Sequence, residues 1–186
     1  MSYAPLPKLP IGIQDFEKLR AGGYLYVDKT KYLIDLIDRG SVYFMSRPRR
    51  FGKSLTISAF DALFSGRREL FDGLYAQEFL NRPGFAPSPV VRLDMSRTVT
   101  NRGLDELEDS ISEQMYENAR RYGVEIGKSL PSILMTRLLR ALAEKLGRVV
   151  VLADEYDKPI LDCLDDLEKA GKAIQLSVPI GIPDGA

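Results

Sequence analysis

The 186-residue sequence predicts an α/β domain with a mostly parallel central sheet. Three observations carry that expectation. Short β-type runs at Val42-Tyr43-Phe44-Met45, Val90-Val91-Arg92-Leu93-Asp94 and Val149-Val150-Val151-Leu152-Ala153 are separated by segments of helical apolar spacing. The first run leads into a basic glycine loop and then a helix. The last is continuous and without alternation, the pattern of a strand covered on both faces.

Residues 1–10 carry three prolines and read as an extended lead-in, 11–161 as the domain, and 162–186 as an acidic helix-like segment and loose tail. From Ile11 to Gly40 the pattern is a short helix, a turn at Gly22-Gly23, an extended Tyr24-Leu25-Tyr26-Val27, and a second helix. That helix has Tyr32, Leu33, Leu36 and Ile37 on its apolar side and Asp28 or Thr30 as its cap. After the glycine loop, Ile57, Phe60, Leu63 and Phe64 recur at helical spacing until Gly66. Residues 67–89, rich in glycine and proline, predict an irregular excursion with short helical turns. Leu104, Leu107, Ile111, Met115 and Ala119 then mark a long amphipathic helix ending near Gly123. Leu134, Leu138, Ala141 and Leu142 mark another, closed by Gly147.

Composition removes whole classes of function. With 26 Lys+Arg against 26 Asp+Glu, bulk charge does not hold this chain on nucleic acid or an anionic membrane. No histidine is present, which excludes imidazole bases, His-dependent triads and imidazole metal ligands. The single cysteine, Cys163, excludes an internal disulfide and reads as a small buried apolar residue. No apolar run approaches the roughly 20 residues of a membrane span. A cytoplasmic location is the default expectation.

The chemistry concentrates in two places. A phosphate loop needs inward backbone N–H groups, a helix N-terminus, a lysine for the outer phosphates and a hydroxyl for magnesium. Gly52, Lys53 and Ser54 supply the end of the G-x-x-x-x-G-K-[ST] pattern, with Arg47 where the first glycine belongs. Arg47, Arg49 and Arg50 add guanidiniums suited to phosphate oxygens; the bland alternative is a solvated basic turn. The same tripeptide recurs at Gly127-Lys128-Ser129 without a preceding strand, and there it reads as a helix start with Ser129 or Ser132 as cap.

The second place is the carboxyl end of the last strand, where clefts of open parallel sheets form. Asp154 can hold Mg²⁺ together with Ser54, and Glu155 can orient and deprotonate an attacking water. The competing reading is a charged loop stabilised by Lys158. Asp94 reads as a turn former at least as readily as a site residue, and Asp157 and Lys158 as supporting or surface charges. Asp28, Lys29 and Thr30 fit helix capping better than nucleotide contact.

Four stretches together resemble the bacterial AAA-ATPase-like proteins. They are Pro10-Ile11-Gly12-Ile13-Gln14-Asp15-Phe16, Tyr26-Val27-Asp28-Lys29-Thr30, Ser46-Arg47-Pro48-Arg49-Arg50-Phe51-Gly52-Lys53-Ser54-Leu55, and Asp154-Glu155-Tyr156-Asp157-Lys158-Pro159-Ile160. The resemblance implies a P-loop NTPase fold, a three-layer α/β/α sandwich with a mostly parallel sheet, incomplete here at its C-terminus because the usual sensor strand is not recognisable after Leu161. It further implies ATP and Mg²⁺ as ligands, with Arg49, Arg50, Phe51, Gly52, Lys53, Ser54 and Leu55 around the nucleotide. Ser54 and Asp154 would serve the metal, and Glu155 with Lys53 the chemistry. Hydrolysis coupled to a conformational step is the first functional expectation, with a protein partner or self-association as its context. A nucleotide-binding switch with little turnover is the second, and a non-enzymatic nucleic-acid interaction fragment the third.

Overall fold

The computed structural model describes residues 7–46, 48, 50–98 and 104–162. Arg47, Arg49, Cys163 and the predicted tail beyond it lie outside the described residues. The chain divides into two compact units, Met1–Ser88 and Pro89–Ala186.

In the first unit, Asp15 opens α1 (Phe16–Ala21) by accepting the Lys18 N–H at 2.8 Å. Helix α2 (Thr30–Arg39) follows, then α3 (Lys53–Phe64), a 3₁₀ turn (Arg68–Phe71) and α4 (Ala76–Leu80). Their apolar faces meet around Phe16, Leu33, Ile34, Ala62, Leu63, Phe71 and Leu80. Phe16 anchors this core, its ring centroid 4.9 Å from Phe71 and 5.3 Å from Tyr26. Neither expected residue holds the cap of α2: Lys29 does, without a side-chain bond, Thr30 is the first helical residue, and one position ahead of the cap stands Asp28. Its carboxylate accepts the Thr30 N–H and hydroxyl at 2.8 and 2.7 Å and the Tyr75 N–H at 2.8 Å. Thr30 Oγ1 in turn accepts the Ala76 N–H at 3.0 Å, so one short motif ties the starts of α2 and α4. Burial raises the Tyr26 phenol pKa, and the neighbouring Asp28 charge pushes the same way.

Val42-Tyr43-Phe44-Met45 departs from its expected strand. These residues carry no regular structure, and Val42, Tyr43 and Phe44 are 65%, 49% and 70% exposed. A β-branched and aromatic run becomes a strand only when a neighbouring strand takes its backbone groups. Within this unit the described pairing is a single bridge, Lys8 to Tyr24.

The second unit holds β1 (Val90–Asp94), α5 (Leu104–Tyr122), α6 (Pro131–Leu146), β2 (Val150–Asp154) and α7 (Lys158–Leu161). The two strands pair in parallel, Val90 opposite Val150 through Asp94 opposite Asp154, as expected for strands joined through helices. Val91 and Leu93, with Val149, Val151 and Ala153, pack on Leu107, Ile111, Met115, Leu134, Leu138 and Leu142 of the helices. Residues 150–153 of β2 are only half-buried, not covered on both faces as the unbroken apolar run suggests. At the start of α6, neither Ser129 nor Ser132 caps: Leu130 holds the cap position with extended backbone and no side-chain bond, and Pro131 takes the first turn. That register leaves Ser129 ahead of the helix and Ser132 inside it.

The outer edge of β1 is closed by side chains. Residues 90, 92 and 94 point their N–H and C=O groups away from β2, and three α5 residues spaced four apart meet them. Tyr122 Oη accepts the Val90 N–H at 2.7 Å and donates to its carbonyl at 3.2 Å. Asn118 accepts from Arg92 N–H at 3.1 Å and donates to Arg92 C=O at 3.0 Å. Gln114 does the same at Asp94, at 2.7 and 3.1 Å. Helix side chains thus take the place of a further strand, and this edge of the sheet is terminated.

Candidate functional site

The glycine loop is shaped by backbone conformation. Gly52 caps α3 with φ 76° and ψ 26°, a left-handed conformation that an L side chain rarely adopts. A Cβ there would meet nothing within 4 Å, so the conformation and not crowding calls for glycine. Two residues earlier, Arg50 also has a positive φ, 67°. Between them the Phe51 N–H closes a turn on Pro48 C=O at 3.3 Å, and the Phe51 ring is 66% exposed.

The first helical bond of α3 runs from Thr56 N–H to Gly52 C=O at 2.9 Å. The N–H groups of Lys53, Ser54 and Leu55 therefore precede the helical ladder, and no side chain caps this end. No acidic residue sits in the first turn. Such an end carries partial positive charge and open donors, which suit an anion. Lys53 and Ser54 are half-buried there. The expected strand ahead of the loop is absent, so α3 and the left-handed pair provide the geometry.

In the second unit, the parallel register brings Asp94 beside Asp154 at the carboxyl ends of both strands. Asp154 is 5% exposed, and its Oδ1 accepts the Glu155 N–H at 3.0 Å. Its Oδ2 receives no donor among the described residues. The chain then turns sharply: Glu155 has φ 50°, and its carbonyl accepts the Lys158 N–H at 2.9 Å. Asp94 spends Oδ1 on the Ser96 N–H at 3.0 Å and hydroxyl at 2.6 Å, which is the turn-forming reading. Lys158 does not neutralise the Asp154-Glu155 pair. Its ammonium donates to Thr98 C=O at 3.3 Å and to Asp162 Oδ2 at 2.5 Å. Asp157 Oδ1 is buried with no hydrogen-bond partner, an unusual state for a carboxylate oxygen.

Gly52, Lys53, Ser54 and Leu55 thus lie together at one helix end in the first unit, beside Arg50 and Phe51. Asp154 and Glu155 lie together at a strand end in the second. Among the described residues, no three Cys, Asp or Glu side chains converge as a ready metal cage. None of the described helices is long and apolar enough to cross a membrane. The amides Gln114 and Asn118, which the apolar pattern of α5 passes over, are buried and fix the strand that carries Asp94.

Comparison with known proteins gives a consistent result. The profile of a family described as Predicted AAA-ATPase matches residues 10–176. A protein of Azotobacter chroococcum mcd 1, named "Uncharacterized protein in vnfD 5'region", is 43% identical over 159 residues. The alignment covers 84% of this chain and 30% of that protein's length. No solved structure matches.

Proposed function

The chain belongs to the Predicted AAA-ATPase family, and from that premise we propose that it binds ATP with Mg²⁺ at the Gly52–Ser54 loop and hydrolyses it to drive a conformational step. The observation that carries this reading is conformational. Among the described residues, two that are not glycine have positive φ, Arg50 and Glu155, and both belong to the candidate site. Left-handed backbone costs an ordinary residue about 1–2 kcal/mol and persists where function or packing demands it.

In this reading the open N–H groups at the start of α3 and the Lys53 ammonium bind the outer phosphates, with Arg50 beside them. Ser54 and Asp154 are the residues that would offer oxygens to the magnesium, which would supply charge neutralisation for the phosphates. Glu155 accepts a proton from the attacking water as the new oxygen-phosphorus bond forms, and ADP departs with the bridging oxygen. The same reading extends to the fold, a P-loop three-layer α/β/α sandwich with a mostly parallel sheet. The chain spans about 30% of the length of the curated relative it matches.

The test is a titration of magnesium-ATP against the purified chain, followed by single-turnover phosphate release. Lys53→Ala is expected to lose nucleotide affinity, and Glu155→Gln to retain it while losing turnover. Equal affinity in the wild type and Lys53→Ala would overturn the assignment. Tight binding with no phosphate release in the wild type would leave a nucleotide switch in place of a hydrolase.

A further inference from the structure

A cavity of about 290 Å³ lies along the terminated edge of β1, against α5. Its walls are set by the Gln114 and Asn118 amides, whose bonds to the strand backbone hold helix and strand in register. Three guanidiniums open on it, those of Arg92, Arg97 and Arg121, against the carboxylates of Asp94 and Glu117. Both carboxylates already have partners. Glu117 receives both prongs of Arg97, at 2.9 and 2.8 Å, and Asp94 Oδ1 receives the Ser96 N–H and hydroxyl. The Arg97 fork lowers the Glu117 pKa, and Glu117 raises that of Arg97, so this pair stays ionised across the ordinary pH range. Arg121 lies over the Tyr122 ring, 5.3 Å from its centroid.

Arg92 is left without an ion pair among the described residues. It stands mid-strand and half-buried, and its guanidinium forms no hydrogen bond or ion pair among the described residues. A cation drawn partly out of water without a direct ion pair is costly, and an anion bound to it in the cavity offsets that cost. The volume exceeds what one oxyanion fills, and a guanidinium fork matches tetrahedral phosphoryl oxygens. We propose that this groove is a second anion site, taking a phosphoryl group on Arg92 with Arg97 as its fixed neighbour, separate from the Gly52 loop. The phosphoryl group has two possible sources, free phosphate or the backbone of a nucleic acid.

The experiment uses the full chain with Lys53→Ala, so that the first loop does not contribute. Equilibrium dialysis with labelled inorganic phosphate is expected to find saturable binding that weakens about tenfold in Arg92→Gln, the loss of one charge-assisted fork. Arg92→Lys, which keeps charge and volume, is expected to fall between the two and guards against a Gln variant that fails to fold. A short single-stranded oligonucleotide forms the second arm. Binding of it that depends on Arg92 and yields to phosphate assigns the group to a nucleic-acid backbone; phosphate binding without it assigns the free ion. Equal phosphate binding with and without Arg92, equal binding of acetate at matched ionic strength, or no saturable binding at millimolar phosphate each overturns the proposal.

Discussion

Replacing Arg50 and Glu155 in turn by glycine and by alanine tests the backbone on which the proposed site rests. At an ordinary helical or extended position, alanine is more stable than glycine by about 0.5–1 kcal/mol, because glycine loses more freedom on folding. At φ 67° or 50° an L side chain adds a steric cost of about 1–2 kcal/mol that glycine escapes. The two effects oppose each other, and the difference favours glycine by about 0.5–1 kcal/mol at positions 50 and 155. Lys31, exposed within α2, supplies the control: there alanine is expected to lead by about 1 kcal/mol. Urea unfolding followed by far-ultraviolet circular dichroism reads all six variants without depending on tryptophan, which the chain lacks. The sign of the glycine-alanine difference should reverse between position 31 and positions 50 and 155. Alanine leading at all three would refute the left-handed backbone and remove the observation that supports the function. Nucleotide affinity separates conformation from charge, since both Arg50 variants lose the guanidinium and are expected to bind ATP with similar weakness.

Two further outcomes follow from the packing. Asn118→Leu leaves the Arg92 N–H and C=O without their side-chain partners at a half-buried strand edge, with an expected loss of about 2–6 kcal/mol from two unsatisfied groups; a loss below 1 kcal/mol in urea unfolding would mean that solvent takes the amide's place. At Asp28, burial raises the carboxyl pKa, but hydrogen bonds from the Tyr75 N–H and from Thr30 outweigh it, and the folded value lies below the usual one. The unfolded chain therefore binds this proton first, and the stability that Asp28 contributes is present above the ordinary Asp pKa near 3.9 and disappears as pH falls through the lower folded value. Asp28→Asn is expected to flatten that part of the acid unfolding curve, and an unchanged slope between the two chains would count against the motif.

The elements that were legible in the sequence are those whose causes are local. Apolar spacing and a closing glycine mark α5 and α6, which stop at Tyr122 and Leu146, each followed by glycine. The α3 pattern likewise ends at Phe64, two residues before Gly66. Strands depend on partners that a local pattern does not contain. Val90–Asp94 and Val150–Asp154 found each other, whereas Val42–Met45, with as strong a β-type composition, carries no regular structure. The edge closure by Gln114, Asn118 and Tyr122 does leave a trace, because each sits one position before or three after a buried apolar residue of the same helix. An apolar-only reading treats these amides as surface, since nothing local tells a helix side chain that it will meet a strand.

The candidate site divides along the same line. That Asp154 would lie at a strand's carboxyl end followed from the apolar run before it, and the structure buries it there. That Glu155 would turn left-handed did not follow, because glycine, asparagine and aspartate are the residues that announce such a turn. Arg50 presents the same disagreement between residue type and backbone. Each is a charged side chain held where a glycine would relax, so the local rule fails at the residues whose side chains the proposed chemistry needs. A merely structural turn would gain stability from glycine at no loss; retaining arginine and glutamate there makes sense if their charges work on a ligand.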